Sequence, residues 1–365
     1  MDSFINIDTA YLISNGSILN EVRFYKRIWF SYFHPVTVFT GLISNLFVLL
    51  VLPKLKYALS DKSRFQYQCL ATFDFMTLLT FHFLQVFLGD SMFFASTGQY
   101  YIYIDKMGSW PCKLSWFNWY LFMALANYCY VEFCIERAIG VCFPLRAKSL
   151  LRGKLRLFLW LIIVIFPSMF IALFALYVKE KISNSRAIGG VTCDIPSTHH
   201  LLWEYCVAAC LLIYLVHVTA TIALNIVILR SLHKASTDRW KLAQRNASGR
   251  SSCKAKEANA TLTLVVLSGI QVFIYFPAGL SCAGYCFLRF QPLEIRLQFY
   301  DEFVELNNAL GLFNAMTSIS HSINFFVYFF RIPVFRKEIL KIFCLSQNLT
   351  PALPSSISTS RVLSN

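Results

Sequence analysis

Seven long apolar segments dominate the chain and limit what it can fold into. A helix that rises 1.5 Å per residue needs about 20 apolar residues to cross a hydrocarbon core about 30 Å thick. Hydrophobic residues make up 57% of the 365 residues, more than one soluble core could bury. The pattern predicts an all-α membrane protein, a bundle of seven transmembrane helices at residues 29–52, 65–89, 114–134, 157–177, 202–229, 261–287 and 306–330.

The basic residues orient this predicted bundle. With the amino terminus outside, most of the 33 Lys and Arg residues fall in segments that face the cytoplasm, as the positive-inside rule requires. We therefore expect the basic residues behind the net charge of +14 to contact anionic membrane lipid and a partner protein, and we expect no nucleic-acid partner. We expect a multi-pass protein of the plasma membrane.

Four regions follow from this topology. Residues 1–28 form an extracellular N-terminus without a removable signal peptide, and Asn15 there begins a glycosylation sequon. Residues 29–330 form the membrane domain. Residues 331–345 place apolar residues at helical spacing between basic ones, which predicts an amphipathic helix in the membrane interface. Cys344 there is a candidate for palmitoylation or an unmodified thiol, and residues 346–365 form a Ser-rich, disordered cytoplasmic tail.

The inner ends of the third and sixth spans carry opposite charges. Arg137 lies 25 residues after Cys112, about 37 Å along a helix, so the two mark opposite membrane surfaces. Pro277 should kink the sixth span, and Glu257 lies 20 residues before it, at the inner mouth. An Arg137–Glu257 ion pair would hold the two helices together, and its release would let the sixth swing outward. A simple surface anchor is the alternative role for Arg137.

Polar residues also lie at matching depths inside the spans. A carboxylate near the midplane is unfavourable enough to mark function, and Asp74 has Asn45, Asn324 and His321 as its expected partners. A static polar network that holds the helices in register is the alternative. Glu132, a second carboxylate within a span, has no assigned role, and facing the lipid headgroups is its simplest placement.

Several short motifs follow one another along the chain: Ser44-Asn45, Leu70-Ala71-Thr72-Phe73-Asp74, Cys112 with Cys193, Glu136-Arg137-Ala138, Trp160, Phe276-Pro277 and Asn324-Phe325-Phe326-Val327-Tyr328. Taken in order, these motifs resemble those of rhodopsin-like (class A) G-protein-coupled receptors across all seven spans. The resemblance implies a disulfide between Cys112 and Cys193 and a coupling switch made of Glu136, Arg137, Glu257, Tyr275, Pro277, Asn324 and Tyr328.

The chain also departs from the family pattern. Tyr275 stands where the family has Trp, and Phe325 stands where it has Pro. The family's sodium site needs a third-helix Ser where this chain has Ala126, and His321 crowds the same place, which argues against sodium. The Asn-Phe-Phe-Val-Tyr variant more loosely resembles invertebrate neuropeptide receptors of the FMRFamide type.

The resemblance also limits the classes of ligand that we expect. Trp119 occupies the position where amine receptors carry Asp, and the seventh span lacks the Lys that binds retinal in opsins. Acidic residues at the outer rim, namely Asp194, Glu294, Asp301, Glu302 and Glu305, would attract a basic peptide. The predicted ligand pocket is aromatic and partly polar, although each member could instead serve helix packing. It consists of His82, Gln85, Trp119, Tyr120, Met123, Glu204, Tyr285 and Asn314.

We therefore expect a neuropeptide receptor that activates a heterotrimeric G protein. A receptor for a lipid or another small molecule is the first alternative. A channel or transporter is the second, disfavoured by the lack of internal repeats and the few charges inside the spans. The sequence has neither metal-spaced His and Cys residues nor a phosphate-binding glycine loop, so we expect no enzyme activity, metal or cofactor.

Overall fold

The computed structural model describes residues 24–55, 61–143, 147, 153–173, 179–182, 191–194, 208–209, 211–243, 252–289 and 291–343. Within these ranges some side chains are not described, including those of residues 235–243 and 252–264. The described part of the chain is predominantly helical, in agreement with the apolar segments of the sequence.

Eight helices organise this described part. Some consist of consecutive stretches that differ in helical pitch or are separated by one residue. They are α1 (Phe24–Leu55), α2 (Asp61–Thr77, Leu78–Ser91 and Met92–Ala95), α3 (Ser109–Cys142), α4 (Gly153–Trp160, Leu161–Ile165 and Phe166–Leu173), α5 (Leu211–Val216 and His217–Ala243), α6 (Ser252–Arg289), α7 (Tyr300–Ser322 and Asn324–Arg331) and α8 (Pro333–Ile342). Short helical turns lie at Ile104–Lys106 and Leu293–Gln298.

Five of these helices, α1, α2, α4, α5 and α6, are long and apolar enough to cross a membrane. α3 and α7 are long enough, with 34 and 23 residues in their main stretches, but they fall short in mean hydropathy. Aromatic, amide and hydroxyl side chains such as Trp119, Asn127 and Asn314 account for this. The structure therefore supports a membrane protein, and the seven-span arrangement stays a prediction.

The helices pack side by side around α3. α3 contacts α2, α4 and α5, while α1 packs against α2 and α7, and α6 packs against α5 and α7. Many large apolar side chains point away from these contacts, which suits lipid better than water. Examples are Phe39, Phe166, Phe273, Phe287 and Phe330.

The C-terminal half of α2 contains a stretch of wider, π-type turns over Leu78–Ser91. Such turns change the direction of the side chains that follow, and they occur frequently at functional sites. The segment after α2 folds back onto it, because the Ile102 N–H donates to the Leu88 carbonyl at 2.8 Å. A Cβ at Gly89 would come within 2.6 Å of the Tyr103 ring, so the glycine allows this close approach.

A two-stranded hairpin lies outside the all-α expectation. β1 (Lys179–Ile182) pairs antiparallel with β2 (Val191–Asp194), and Glu180 lies opposite Cys193. β1 contacts α3, and β2 contacts the turn at Ile104–Lys106. The hairpin therefore lies over the end of the bundle where α3 begins.

α8 follows α7 at the opposite end of the bundle. Pro333 occupies its first turn, where a missing backbone donor costs no hydrogen bond. Phe335 and Ile339 are buried, whereas Arg336 and Lys337 are exposed, so α8 is amphipathic, and its placement in the membrane interface stays a prediction. α8 contacts α1 as well as α7.

Candidate functional site

A buried carboxylate joins α2 to α7. Asp74 is 0% exposed, and its Oδ1 accepts a hydrogen bond from His321 Nδ1 at 2.7 Å. Asn324 Nδ2 donates to the other carboxylate oxygen. His321 and Asn324 flank Ile323, where α7 is interrupted, so the helix is irregular at the point where it holds the carboxylate.

The same network reaches α3 and α6. Tyr130 donates its hydroxyl to Asn324 Oδ1 at 2.7 Å, and the Tyr275 hydroxyl lies 2.9 Å from His321 Nε2. A neutral imidazole that donates through Nδ1 leaves Nε2 free to accept from Tyr275. Side chains from four helices therefore meet around one carboxylate, which we call the polar core.

Asn45 has a different role from the one expected. It donates to the backbone carbonyls of Gly41 and His321, at 3.0 and 2.8 Å, and makes no hydrogen bond to Asp74. A Cβ at Gly41 would overlap Ser322, so α1 and α7 approach closely here. Asn45 thus braces α1 against the α7 backbone. Counting residues along the span gave the depth of Asn45 in the bundle. It did not show toward which neighbouring helix the side chain points.

Glu136 and Arg137, at the inner end of α3, contact α2 and α4. Glu136 accepts hydrogen bonds from Arg156 Nε at 3.1 Å and from Gln66 Nε2. Arg137 Nη2 lies 3.3 Å from Ser63 Oγ, to which it donates. The side chain of Glu257 lies outside the described residues, so the Arg137–Glu257 ion pair stays a prediction.

Glu132 lies in the interior, so its placement toward the headgroups is wrong. It is 3% exposed and accepts a hydrogen bond from Gln66 Nε2 at 3.1 Å. Gln66 therefore bridges the carboxyl groups of Glu132 and Glu136, and Arg156 supplies the compensating positive charge. The four-residue spacing of the two glutamates, which puts them on one helix face, was the sequence signal for this pair.

Tyr275, Pro277 and Tyr328 complete the predicted switch. Tyr275 is fully buried, and the His217 ring lies edge-on to it at 5.1 Å. Pro277 lies inside α6, where it removes a backbone donor from the helix two residues after Tyr275. The Tyr328 ring packs 4.9 Å from that of Tyr67, which joins α7 to α2 near the inner end of the bundle.

A cavity of about 460 Å³ opens between α1, α2 and α7, at the end of the bundle where α3 begins; the sequence predicts that this end is extracellular. Its walls include the aromatic residues Phe30, Phe81, Phe93 and Phe94, and its polar lining is Lys26, Gln85, Asp90, Tyr103, Asp105 and Asn314. Among the predicted pocket residues, Gln85 and Asn314 line this cavity.

The other predicted pocket residues take different positions. Trp119 stacks on Phe81 at 4.3 Å and on Tyr120 at 4.7 Å, and these rings fill the space beside α3. His82 and Met123 are buried away from the cavity, and Tyr285 stacks on Phe303. Glu204 lies outside the described residues. Among the described residues, the cavity therefore lies beside α1, α2 and α7, and the pocket expected around α3 stays a prediction.

Two polar side chains that line the cavity, Lys26 and Tyr103, are hydrogen-bonded to neighbouring side chains. Lys26 Nζ donates to Asn308 Oδ1 at 2.7 Å, and the Tyr103 hydroxyl donates to Asp90 Oδ1 at 2.9 Å. Burial raises the pKa of Tyr103, and the nearby Asp90 carboxylate raises it further, so the phenol stays protonated and remains a donor. With Asp90 and Asp105 against Lys26, the lining has an excess of negative charge.

A row of buried side chains leads from the cavity region toward the polar core. His34 Nδ1 lies 3.0 Å from Ser91 Oγ, and His34 Nε2 lies 3.4 Å from His82 Nδ1. His82 Nε2 lies 3.2 Å from Thr317 Oγ1, and the His82 and His321 ring centroids are 6.1 Å apart. These contacts connect Ser91, next to the cavity residue Asp90, with the polar core.

Several predicted modification sites have little or no described structure. Cys112 is fully buried and disulfide-bonded. The side chain of Cys193 lies outside the described residues, so its pairing with Cys112 stays a prediction. The same holds for glycosylation of Asn15 and palmitoylation of Cys344.

Of the rim acids, Glu294, Glu302 and Glu305 are exposed, and the side chains of Asp194 and Asp301 are not described.

Comparison with known proteins adds no assignment. No protein-family model matches the chain, and no curated protein matches it at a significant level. Within the described ranges, no group of three or more His, Cys, Asp or Glu residues is placed to hold a metal ion. Any functional conclusion therefore depends on the contacts described above.

Proposed function

We propose that this protein is a rhodopsin-like G-protein-coupled receptor whose helices α1 to α7 cross the plasma membrane. The observation that carries the proposal is the polar core, in which Asp74 is bonded by His321 and Asn324 at the interruption in α7. A buried carboxylate that ties together four helices is a feature of membrane proteins that transmit a signal or an ion. Glu136 and Arg137 supply a charged group at the inner end of α3.

The outer cavity supports an extracellular ligand. Its volume of about 460 Å³ falls within the range of about 300–1,000 Å³ that is typical of ligand sites. Aromatic walls and the excess of carboxylates suit a peptide that presents a cationic group beside an apolar side chain. We propose that a basic neuropeptide inserts one end here and that the exposed rim acids attract the remainder.

Signal transmission would use the row of side chains between the cavity and the polar core. Ligand binding that moves α1, α2 or α7 changes the His34–His82–Thr317 contacts and then those of His321 with Asp74. A ligand that prefers one arrangement shifts the population toward it. In the proposed active state the inner half of α6 moves away from Arg137 and opens a cleft for the carboxy-terminal helix of a Gα subunit. The disulfide of Cys112 with Cys193, glycosylation at Asn15 and palmitoylation at Cys344 belong to the same proposal.

A peptide-library screen with a second-messenger readout tests the function. We expect a basic peptide to evoke a response, and we expect Asp90→Asn to lower its potency by about tenfold or more, since a charge-assisted contact is lost. Glu338→Gln, which removes a carboxylate of α8 at the opposite end of the bundle, is the matched control and should leave potency unchanged.

Other outcomes would assign a different function. A response to lipids with unchanged potency in Asp90→Asn would favour a lipid receptor. Ligand-independent current in voltage-clamped cells would favour a channel. Either result would contradict the peptide-receptor proposal.

A further inference from the structure

Four buried polar side chains lie on α3, α5 and α6 inside the bundle, and one of them contacts the polar-core residue Tyr275. Asn127 of α3, Gln271 of α6, and His217 and Thr221 of α5 are each at most 2% exposed. Gln271 Nε2 donates to Asn127 Oδ1 at 2.7 Å, which links α6 directly to α3. His217 packs edge-on to Tyr275, one helical turn from Gln271.

These side chains leave hydrogen-bonding capacity unused. Asn127 Nδ2, Gln271 Oε1, Thr221 Oγ1 and both ring nitrogens of His217 are buried and make no hydrogen bond within the described part of the chain. Exchanging the oxygen and nitrogen of both amides would still leave one polar atom of each without a partner. Buried groups of this kind are normally satisfied by internal water, which needs two to four polar partners.

A second polar contact joins α5 and α6, about one helical turn from Thr221 and Gln271. Asn225 Nδ2 donates to Ser268 Oγ at 2.8 Å, so α5 and α6 are also joined by an amide. Asn, Gln, Ser and His side chains commonly hydrogen-bond across helix interfaces in a membrane. α6 is thus hydrogen-bonded to α3 through Asn127 and to α5 through Asn225.

We infer that Asn127, Gln271, His217 and Thr221 enclose internal water and form a polar latch that holds α6 against α3 and α5. The inference rests on the proposed function, because outward movement of α6 is the step that the latch would oppose. Asn127 and Gln271 are positioning residues: they contact neither the cavity nor the inner end of α3. Water enters the interface when α6 separates, so their amides are satisfied by solvent in the open arrangement.

The latch makes an asymmetric prediction for single and double variants. Gln271→Leu leaves the Asn127 amide buried with no partner, and Asn127→Leu does the same to Gln271. Each single variant should therefore favour the open arrangement by about fivefold to a hundredfold, the range for one unpaired buried amide. Replacing both amides with leucine removes the hydrogen bond of the latch but leaves neither amide unpaired, so the double variant should be less open than either single variant.

Hydrogen–deuterium exchange of the purified full chain in lipid nanodiscs measures this directly, because exchange reports local opening. We expect faster exchange at residues 252–271 in each single variant than in the original chain, and slower exchange in the double variant than in either single variant. Tyr128→Phe is the matched control: it removes a buried hydrogen bond from α3 to the Leu212 carbonyl of α5 and should leave α6 exchange unchanged.

Nucleotide exchange on added Gα subunits, measured in parallel, separates this inference from the proposed function. If the α6 pattern appears but no Gα subunit responds, the latch stands and the receptor proposal fails. Unchanged α6 exchange in the single variants, equally raised exchange in every helix, or a double variant at least as open as the singles would each overturn the latch.

Discussion

Removing the imidazole of His321 should destabilise the protein strongly, because Asp74 cannot reach water. The two side chains are 1% and 0% exposed and lie 2.7 Å apart. A neutral hydrogen bond between membrane helices contributes only about 0.6 kcal/mol on average. A hydrogen bond to a buried charged group contributes about 1.5–3 kcal/mol, and its loss costs more where water cannot replace the donor, so the second effect dominates. Asn324 still bonds one carboxylate oxygen, and we therefore expect about 3 kcal/mol for His321→Leu.

Thermal unfolding with a thiol-reactive fluorescent dye is a suitable assay, since Cys129 and Cys134 are buried free thiols. About 3 kcal/mol corresponds to a Tm lower by roughly 6–12 °C for a domain of this order of size. His321→Leu combined with Asp74→Asn should recover more than half of that loss, because no charge remains unpaired.

Ser168→Ala is the control for this series. Its buried hydroxyl bonds only to the Val164 carbonyl of its own helix, and the Tm should change by less than about 3 °C. A His321→Leu variant that unfolds within the range of this control would refute the reasoning, as would a double variant that is less stable than the single one.

Two further predictions concern close approaches between helices and at the cavity wall. Gly41→Ala should destabilise the chain by about 1–3 kcal/mol in the same unfolding assay, because the added Cβ would come within 2.7 Å of Leu78 Cδ1. Gly140→Ala is the control: the space around Gly140 is open, so this variant should be neutral or stabilising. Tyr103→Phe removes a hydrogen bond to a carboxylate and should lower peptide potency by about tenfold or more. Because the pKa of Tyr103 is raised, this residue should contribute equally at about pH 7 and pH 9, and a potency that falls as the Tyr103 phenol ionises in that range would contradict the assignment.

Sequence reasoning worked where distance along a helix decides the result. Counting residues from the basic ends of the spans put Asp74 and Asn324 at matching depths, with His321 as a further partner, and the structure brings the three together. The same count places Arg137 at the far end of α3 from Cys112, in keeping with one continuous helix from Ser109 to Cys142.

Rotation around a helix axis was not predictable in the same way. Asn45 has the depth expected of an Asp74 partner but points at the α7 backbone, and Trp119, expected to line the pocket, stacks on Phe81. The cavity wall at Tyr103 depends on a segment that folds back over Gly89, a long-range contact with no periodic signal. Gln66 and Gln271 were visible as amides within apolar stretches, but their partners lie in other helices.

Guanine nucleotide exchange by purified Gα subunits tests the central claim most directly. The chain in nanodiscs, with the peptide identified in the screen, should accelerate exchange on at least one Gα subunit. Arg137→Ala should reduce that rate by about tenfold or more, since the group proposed to meet Gα is gone, whereas Lys341→Ala, an exposed cation paired with Glu338, should leave it unchanged. Equal rates for the original chain and the Arg137→Ala variant on every Gα subunit would contradict the account.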